Sequence, residues 1–332
     1  MTVTSSTSGV PAEVNAWRDR IDAALRSLVS EADPAGLYGP VRYVLNSGGK
    51  RLRPILLLLA ARTFGVDPED ALPAALAVEV FHNFTLVHDD IMDHAVERRG
   101  RPTVHVKWDE STAILCGDFL MGLSYSLLAR SPRASIARLV ERFQQMVARL
   151  CEGQALDKAF EQRLDVSVEE YLGMVDRKTG ALVQGSLELG ALLGGAADDQ
   201  LEVLRDIGRN AGRAYQLMDD LLDLTAEDAR WGKAVGGDLV EGKKTYLLLR
   251  SLERSDGADR LWLSQIIKEN GLAPSLVSEA RERMRRSGVL EEAREEVLRY
   301  SREAVDAAGR LPASPAVDTL RWLLRTMQQR LH

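Results

Sequence analysis

Apolar residues recur along this chain at the three-and-four spacing of an amphipathic helix almost from end to end. No stretch shows the sustained apolar–polar alternation of a half-buried strand. The pattern predicts an all-α chain, a single-domain bundle, with helices over about 12–31, 36–47, 52–64, 69–94, 109–130, 133–160, 167–193, 198–229, 243–253, 258–270, 273–287, 289–309 and 315–331. Asp109-Glu110-Ser111 and Ser167-Val168-Glu169-Glu170 read as capped helix starts. Gly100-Arg101-Pro102, Gly194-Gly195 and Gly236-Gly237 break the pattern. With no linker in view, residues 12–332 read as one domain preceded by a Ser- and Thr-rich tail, Met1 to Pro11, that lacks the basic start and apolar run of a signal peptide. From Glu279 to Arg302, Glu and Arg at mixed spacing describe a solvated helix face.

The most apolar stretches, Ile55 to Ala61 and Leu72 to Val87, are too short to span a bilayer or are interrupted by Glu79, His82 and Asn83, so they read as core helices and no integral membrane segment is expected. A net charge of -6 in 332 residues argues against a nucleic-acid partner, which calls for a basic face. A small molecule is the expected partner. Two cysteines, Cys116 and Cys151, lie in apolar helical surroundings, which suits buried thiols and a reducing cytoplasm better than a disulfide framework.

Against that apolar background two acidic pentapeptides stand out: Asp89-Asp90-Ile91-Met92-Asp93 and Asp219-Asp220-Leu221-Leu222-Asp223. Residues four apart on a helix are separated by about 40° in azimuth and about 6 Å along the axis, so Asp89 shares a face with Asp93, and Asp219 with Asp223. A single such motif is most simply an exposed helix end. Here Phe81, Phe84, Leu86 and Val87 precede the first, and Ala214, Tyr215, Leu217 and Met218 the second. Carboxylates in apolar surroundings lose hydration and need a partner. Six of them brought together would call for multivalent cations. An all-oxygen donor set is the pattern of Mg²⁺, which keeps waters and completes its shell with substrate phosphates.

Basic residues beside glycines supply the complementary half. They are Gly48-Gly49-Lys50-Arg51-Leu52-Arg53-Pro54, Arg98-Arg99-Gly100, Lys178-Thr179-Gly180, Gly232-Lys233 and Gly242-Lys243-Lys244. Guanidinium groups match phosphate oxygens, and glycine lets backbone amides approach an anion. Each cluster alone reads as solvated surface; with two acidic motifs they point to a polyphosphate substrate.

These blocks, together with Leu86-Val87-His88 before the first acidic motif, Gly153-Gln154, and Gln216-Leu217-Met218 before the second, resemble the polyprenyl synthase family of trans-isoprenyl diphosphate synthases. The resemblance runs in family order over about 200 residues. It implies a bundle of mostly antiparallel helices around a central cavity, found as a homodimer. It further implies that Asp89, Asp90, Asp93, Asp219, Asp220 and Asp223 hold Mg²⁺, three ions per active site, on the diphosphate of an allylic substrate. Arg98, Lys178, Lys233 and Lys243 would surround the departing pyrophosphate, and the oxygens of Thr179 and Gln216 would face the carbocation. Isopentenyl diphosphate would lie on Lys50, Arg53, His82 and Arg99, with Gly49 nearby; His82 stands seven residues, almost two turns, before Asp89. His88, one residue off the acidic face, is read as structural.

A growing prenyl chain would run down the helix that carries Asp89. Phe84 lies about 7.5 Å and Phe81 about 12 Å below that residue, forming a floor. In the family an aromatic five positions before the first motif accompanies short products, and the uninserted motif with Phe84-Thr85 resembles archaeal-type geranylgeranyl diphosphate synthases. The expected product is C20, with C15 or a longer chain as alternatives. A terpene cyclase of the same fold would have a different second motif, a non-catalytic synthase subunit a degraded one, and a His-based phosphohydrolase more clustered histidines than the five present.

Overall fold

The computed structural model describes residues 10–29, 33–132, 136–226 and 235–326. The expected tail over 1–11 falls mostly outside them. The described residues form sixteen α-helices, one 3₁₀ turn (Pro274–Leu276) and one two-stranded ribbon, so the chain is all-α as its periodicity predicts. They divide into two compact units, one within residues 10–141, 186–196 and 314–319 and the other within 142–185, 197–313 and 320–326.

The first unit is built from α1 (Ala12–Ser27), α2 (Ala35–Leu45), α3 (Leu52–Thr63), α4 (Pro68–Met92), α5 (Val104–Lys107) and α6 (Glu110–Leu128). In α3 every residue from Ile55 to Ala61 is buried, the all-round apolarity of a helix inside a core. Asp67 starts α4 by accepting the Glu69 amide at 2.9 Å, with Pro68 at the first helical position, where its missing N–H costs nothing. α6 starts as expected, with Asp109 accepting the Thr112 amide at 2.8 Å. It is long and apolar enough to cross a membrane by length and composition, which the sequence reading did not single out. Its Ala113, Cys116, Gly117 and Leu120 are buried, and α6 packs against α4. Gly117 makes that approach possible, because a Cβ there would meet His88 Nε2 at 2.1 Å. Between α4 and α5, β1 (Glu97–Arg98) and β2 (Arg101–Pro102) pair antiparallel across Arg99-Gly100, both at positive φ, the pattern of a two-residue hairpin turn.

The second unit holds most of α7 (Ile136–Gln162), then α8 (Val168–Lys178), the first part of α9 (Gly180–Leu193), α10 (Asp198–Thr225), α11 (Gly237–Val240), α12 (Tyr246–Arg254), α13 (Gly257–Lys268), α14 (Val277–Arg286), α15 (Val289–Ala308) and the end of α16 (Pro315–Thr326). Its core gathers Leu217, Met218, Leu221 and Leu224 of α10 with Leu247 and Leu248 of α12 and Ala293 and Val297 of α15. The single helix expected over 167–193 is two, α8 and α9, parted at Thr179. The expected capping box is present: Ser167 Oγ accepts the Glu170 amide at 3.1 Å, and Glu170 accepts the Ser167 amide at 2.9 Å.

Candidate functional site

Both acidic motifs lie at the C-terminal ends of long helices, α4 and α10, where the helix dipole is negative and neither last turn carries a basic residue. That placement is unfavourable for carboxylates unless a cation supplies the missing charge.

In the first unit, Asp89 and Asp93 are half-buried, and α4 ends at Met92, so Asp93 is its C-cap and donates its amide to the Asp89 carbonyl at 2.9 Å. Asp90 points differently. It is buried and accepts from Arg98 Nε at 2.7 Å, while Arg98 Nη2 lies 3.8 Å from Asp89 Oδ2. Burial raises the Asp90 pKa above the usual carboxylate value, and Arg98 opposes the shift.

The hairpin turn sends the adjacent arginines opposite ways. Arg98 returns to the acidic motif, whereas Arg99 reaches the 46–51 loop, where its Nη1 donates to the Gly48 carbonyl and to Ser47 Oγ at 3.2 Å. Gly49, at φ 144°, is required there: a Cβ would come within 3.1 Å of the Arg99 guanidinium. Lys50 is exposed. Arg53 Nη1 lies 3.1 Å from His82 Nε2. Arginine only donates, so Nε2 accepts and the ring hydrogen sits on Nδ1, which is buried with no hydrogen-bond partner among the described residues. Burial first, then Arg53, Arg99, Arg98 and Arg51, lower the His82 pKa well below its ordinary value, so the ring is neutral. A cleft of about 400 Å³ is lined by Tyr43, Leu86, Asp90, Arg98, Arg99 and other residues of this unit.

Phe81 is fully buried and Phe84 partly exposed, one turn apart on α4 with ring centroids 5.5 Å apart. The Phe84 ring also meets the His88 ring edge-on at 4.7 Å.

In the second unit, Asp219 is half-buried, and Asp220 and Asp223 are buried. Asp220 accepts from Tyr171 Oη at 2.6 Å, Gln216 Nε2 at 3.1 Å and the Tyr246 amide at 3.3 Å, the last at the first residue of α12. Burial, then the charge of Asp238, pushes its pKa up to about 7 against those hydrogen bonds. Gln216 in turn accepts from Thr179 Oγ1 at 2.8 Å, so one chain of hydrogen bonds links Tyr171, Asp220, Gln216 and Thr179. Asp223 accepts the Asp238 amide at 3.2 Å, tying α10 to the first turn of α11. Lys178 Nζ lies 2.6 Å from Asp157 Oδ2, and Lys243 Nζ 2.9 Å from Glu241. Gly153 explains its place in the motif set: a Cβ there would stand 2.3 Å from the Lys178 amide, so it lets α7 close on α8. Lys233 lies outside the described residues.

Tyr171, Asp157 and the Glu79 and Asp22 partners of Arg51 are not among the candidate site residues of the sequence reading. Signals for three of them exist. Tyr171 precedes Lys178 by two turns, Asp157 follows Gly153 by one, and Glu79 is an acid inside an apolar helix.

Among the described residues no three His, Cys, Asp or Glu side chains converge into a self-sufficient metal site. The donors are nonetheless the right kind: half-buried carboxylates at helix C-termini, all oxygen, suit an Mg²⁺ ion that draws remaining ligands from water and phosphate.

The profile described as Polyprenyl synthetase matches residues 34–284. A short chain isoprenyl diphosphate synthase of Methanothermobacter thermautotrophicus is 37% identical over 319 residues, covering 95% of this chain and 97% of the relative. A geranylgeranyl diphosphate synthase of Methanosarcina mazei is 43% identical over 244 residues, 73% of this chain and 75% of the relative. The crystal structure of a geranylgeranyl pyrophosphate synthetase from Pyrococcus horikoshii superimposes with a TM-score of 0.88 at 36% identity, covering 96% of this chain and 98% of that one.

Proposed function

The chain belongs to the polyprenyl synthetase family, and on that premise we propose that it is a short-chain prenyltransferase that joins isopentenyl diphosphate to an allylic diphosphate and stops at the C20 geranylgeranyl product. The observation that supports this reading is the arrangement around α4: the acidic motif at its end, His82 two turns earlier, Arg53 and Arg98 bonded to it, and Arg99 on the adjoining 46–51 loop.

Asp89, Asp93 and Asp219, helped by Asp223, would hold Mg²⁺, three ions per site. Bound there, Mg²⁺ neutralises the allylic diphosphate and turns it into a leaving group. Arg98, Lys178, Lys233 and Lys243 add positive charge where negative charge grows as the carbon–oxygen bond breaks, the interaction that raises rate rather than ground-state affinity. The oxygens of Thr179 and Gln216 stabilise the allylic cation. Lys50, Arg53, His82 and Arg99 hold the diphosphate of isopentenyl diphosphate, whose double bond attacks that cation. Proton loss to the released pyrophosphate completes a product five carbons longer, with no side-chain base required. Phe84 above Phe81 limits the chain. We place the enzyme in the cytoplasm, as a homodimer.

Purified protein incubated with Mg²⁺, isopentenyl diphosphate and dimethylallyl, geranyl or farnesyl diphosphate in turn should yield a C20 diphosphate from each primer. Asp89→Ala and Asp219→Ala should each lower turnover by orders of magnitude with the fold retained. Absence of condensation with every primer would sink the reading.

A further inference from the structure

Arg51 lies in the middle of the basic segment Gly49-Lys50-Arg51-Leu52-Arg53, yet it is turned into the protein: it is 3% exposed, whereas Lys50 is exposed. Its Nε donates to Asp22 Oδ1 of α1 at 2.7 Å and its Nη1 to Glu79 Oε1 of α4 at 2.7 Å, while Nη2 reaches the Leu45 carbonyl at 3.4 Å. One guanidinium therefore joins α1, the end of α2 and α4. Arg51 is also the N-cap of α3 and sits at φ 51°, ψ 34°, a left-handed conformation that costs a non-glycine residue about 1–2 kcal/mol. Something must hold it there, and the paired carboxylates do.

That backbone turn decides where its neighbours go. Lys50 precedes it into solvent. Leu52 opens α3, and Arg53, on the first turn, meets His82, which is three residues beyond Glu79 on α4. Arg51–Glu79 and Arg53–His82 are thus two rungs, about 4.5 Å apart along α4, between the same two segments. From the other side Arg99 grips Gly48 and Ser47.

We propose that Arg51, clamped by Glu79 and Asp22, is a positioning residue that holds the loop so that Lys50, Arg53, His82 and Arg99 converge on one diphosphate, without touching that diphosphate itself. This rests on the assignment of isopentenyl diphosphate to those four residues. A guanidinium that is 3% exposed, with its charge matched by two carboxylates, is out of reach of an incoming anion. Its removal would instead release the turn and disperse the groups that bind.

The test separates the two substrates. In Arg51→Lys a cation remains, but a single ammonium cannot reproduce the fork that spans two carboxylates. The KM for isopentenyl diphosphate at saturating geranyl diphosphate should rise about tenfold or more, the loss of one well-formed charge-assisted contact, while the KM for geranyl diphosphate stays within about twofold. Because a broken buried pair can unfold a protein, Asp22→Asn provides a milder variant: Asp22 is partly exposed and the buried Arg51–Glu79 pair survives, so a selective rise of about threefold is expected. In a Lys50→Ala background the Arg51→Lys effect should shrink, since the two act on one binding event. Unchanged KM values in both variants, equal rises for both substrates, or full additivity with Lys50→Ala would overturn the positioning role. A Lys50→Ala protein with an unaltered isopentenyl diphosphate KM would overturn the substrate assignment beneath it.

Discussion

Asp220 shows what one residue's surroundings do to its role. It belongs to the same pentapeptide as Asp219, but three donors, from Tyr171, Gln216 and the Tyr246 amide, converge on its buried carboxylate. The amide of Tyr246 can only donate, and with Gln216 Nε2 turned to Asp220 the carboxamide oxygen is left to receive the Thr179 hydroxyl. Asp220 thereby orients Gln216, and Tyr171 helps to hold Asp220. Tyr171→Phe removes one donor from a buried carboxylate, which costs about 1–3 kcal/mol of stability. It should also lower kcat by about tenfold, with the KM for isopentenyl diphosphate nearly unchanged, if the Thr179 and Gln216 oxygens face the cation as proposed. Urea denaturation and steady-state kinetics check both. Sequence spacing could bring Gln216 and Asp220 together, four apart on one helix. It could not bring Tyr171, 49 residues away, because that contact exists only after α8 packs on α10.

Helix α4 carries the chain-length question as well as the acidic motif. Phe81 is sealed in the core, so Phe84, the partly exposed ring above it, is the surface that a growing chain would meet first. Phe84→Ala should shift the product beyond C20, and Phe84→Ala with Phe81→Ala further still, read by chromatography of dephosphorylated products. Phe81→Ala alone should mainly cost stability, about 3–5 kcal/mol for a buried aromatic. Helix contacts set by glycine are equally testable. In the first unit a Cβ at Gly190 would stand 2.2 Å from the Leu57 carbonyl of α3, against backbone that cannot swing aside. Gly190→Ala should therefore destabilise by about 1–3 kcal/mol, visible as a lower Tm, although alanine has the better helix propensity. The helical pattern placed α3, α4 and α10 closely because their apolar runs are long. It missed the Thr179 break and the 97–102 ribbon, where two or three residues of turn geometry outweigh a weak periodic signal.

For the molecule as a whole, the proposed metal requirement rests on where the acids stand. Carboxylates at two helix C-termini, with no complete three-residue site among the described residues, leave coordination positions for a ligand's own oxygens. Mg²⁺ with inorganic pyrophosphate should raise the Tm by several degrees, Mg²⁺ alone much less, because an ion held by few protein oxygens binds weakly until phosphate completes its shell. Equal shifts with and without pyrophosphate would show a self-sufficient protein site. Chelation should abolish turnover, and added Mg²⁺ restore it.

The sequence by itself determined the helical class, the two acidic motifs, the basic clusters and the family, since each depends on residues close in the chain or on period. Which acids of each motif are turned inward, that Arg51 is buried against Asp22 and Glu79 while Lys50 is exposed, and that His82 is neutral were decided only by tertiary structure. The physical reason is common to all three. A side chain's charge state and direction depend on burial and on partners that folding brings from 28, 29 or 49 residues away, and spacing along one helix contains neither.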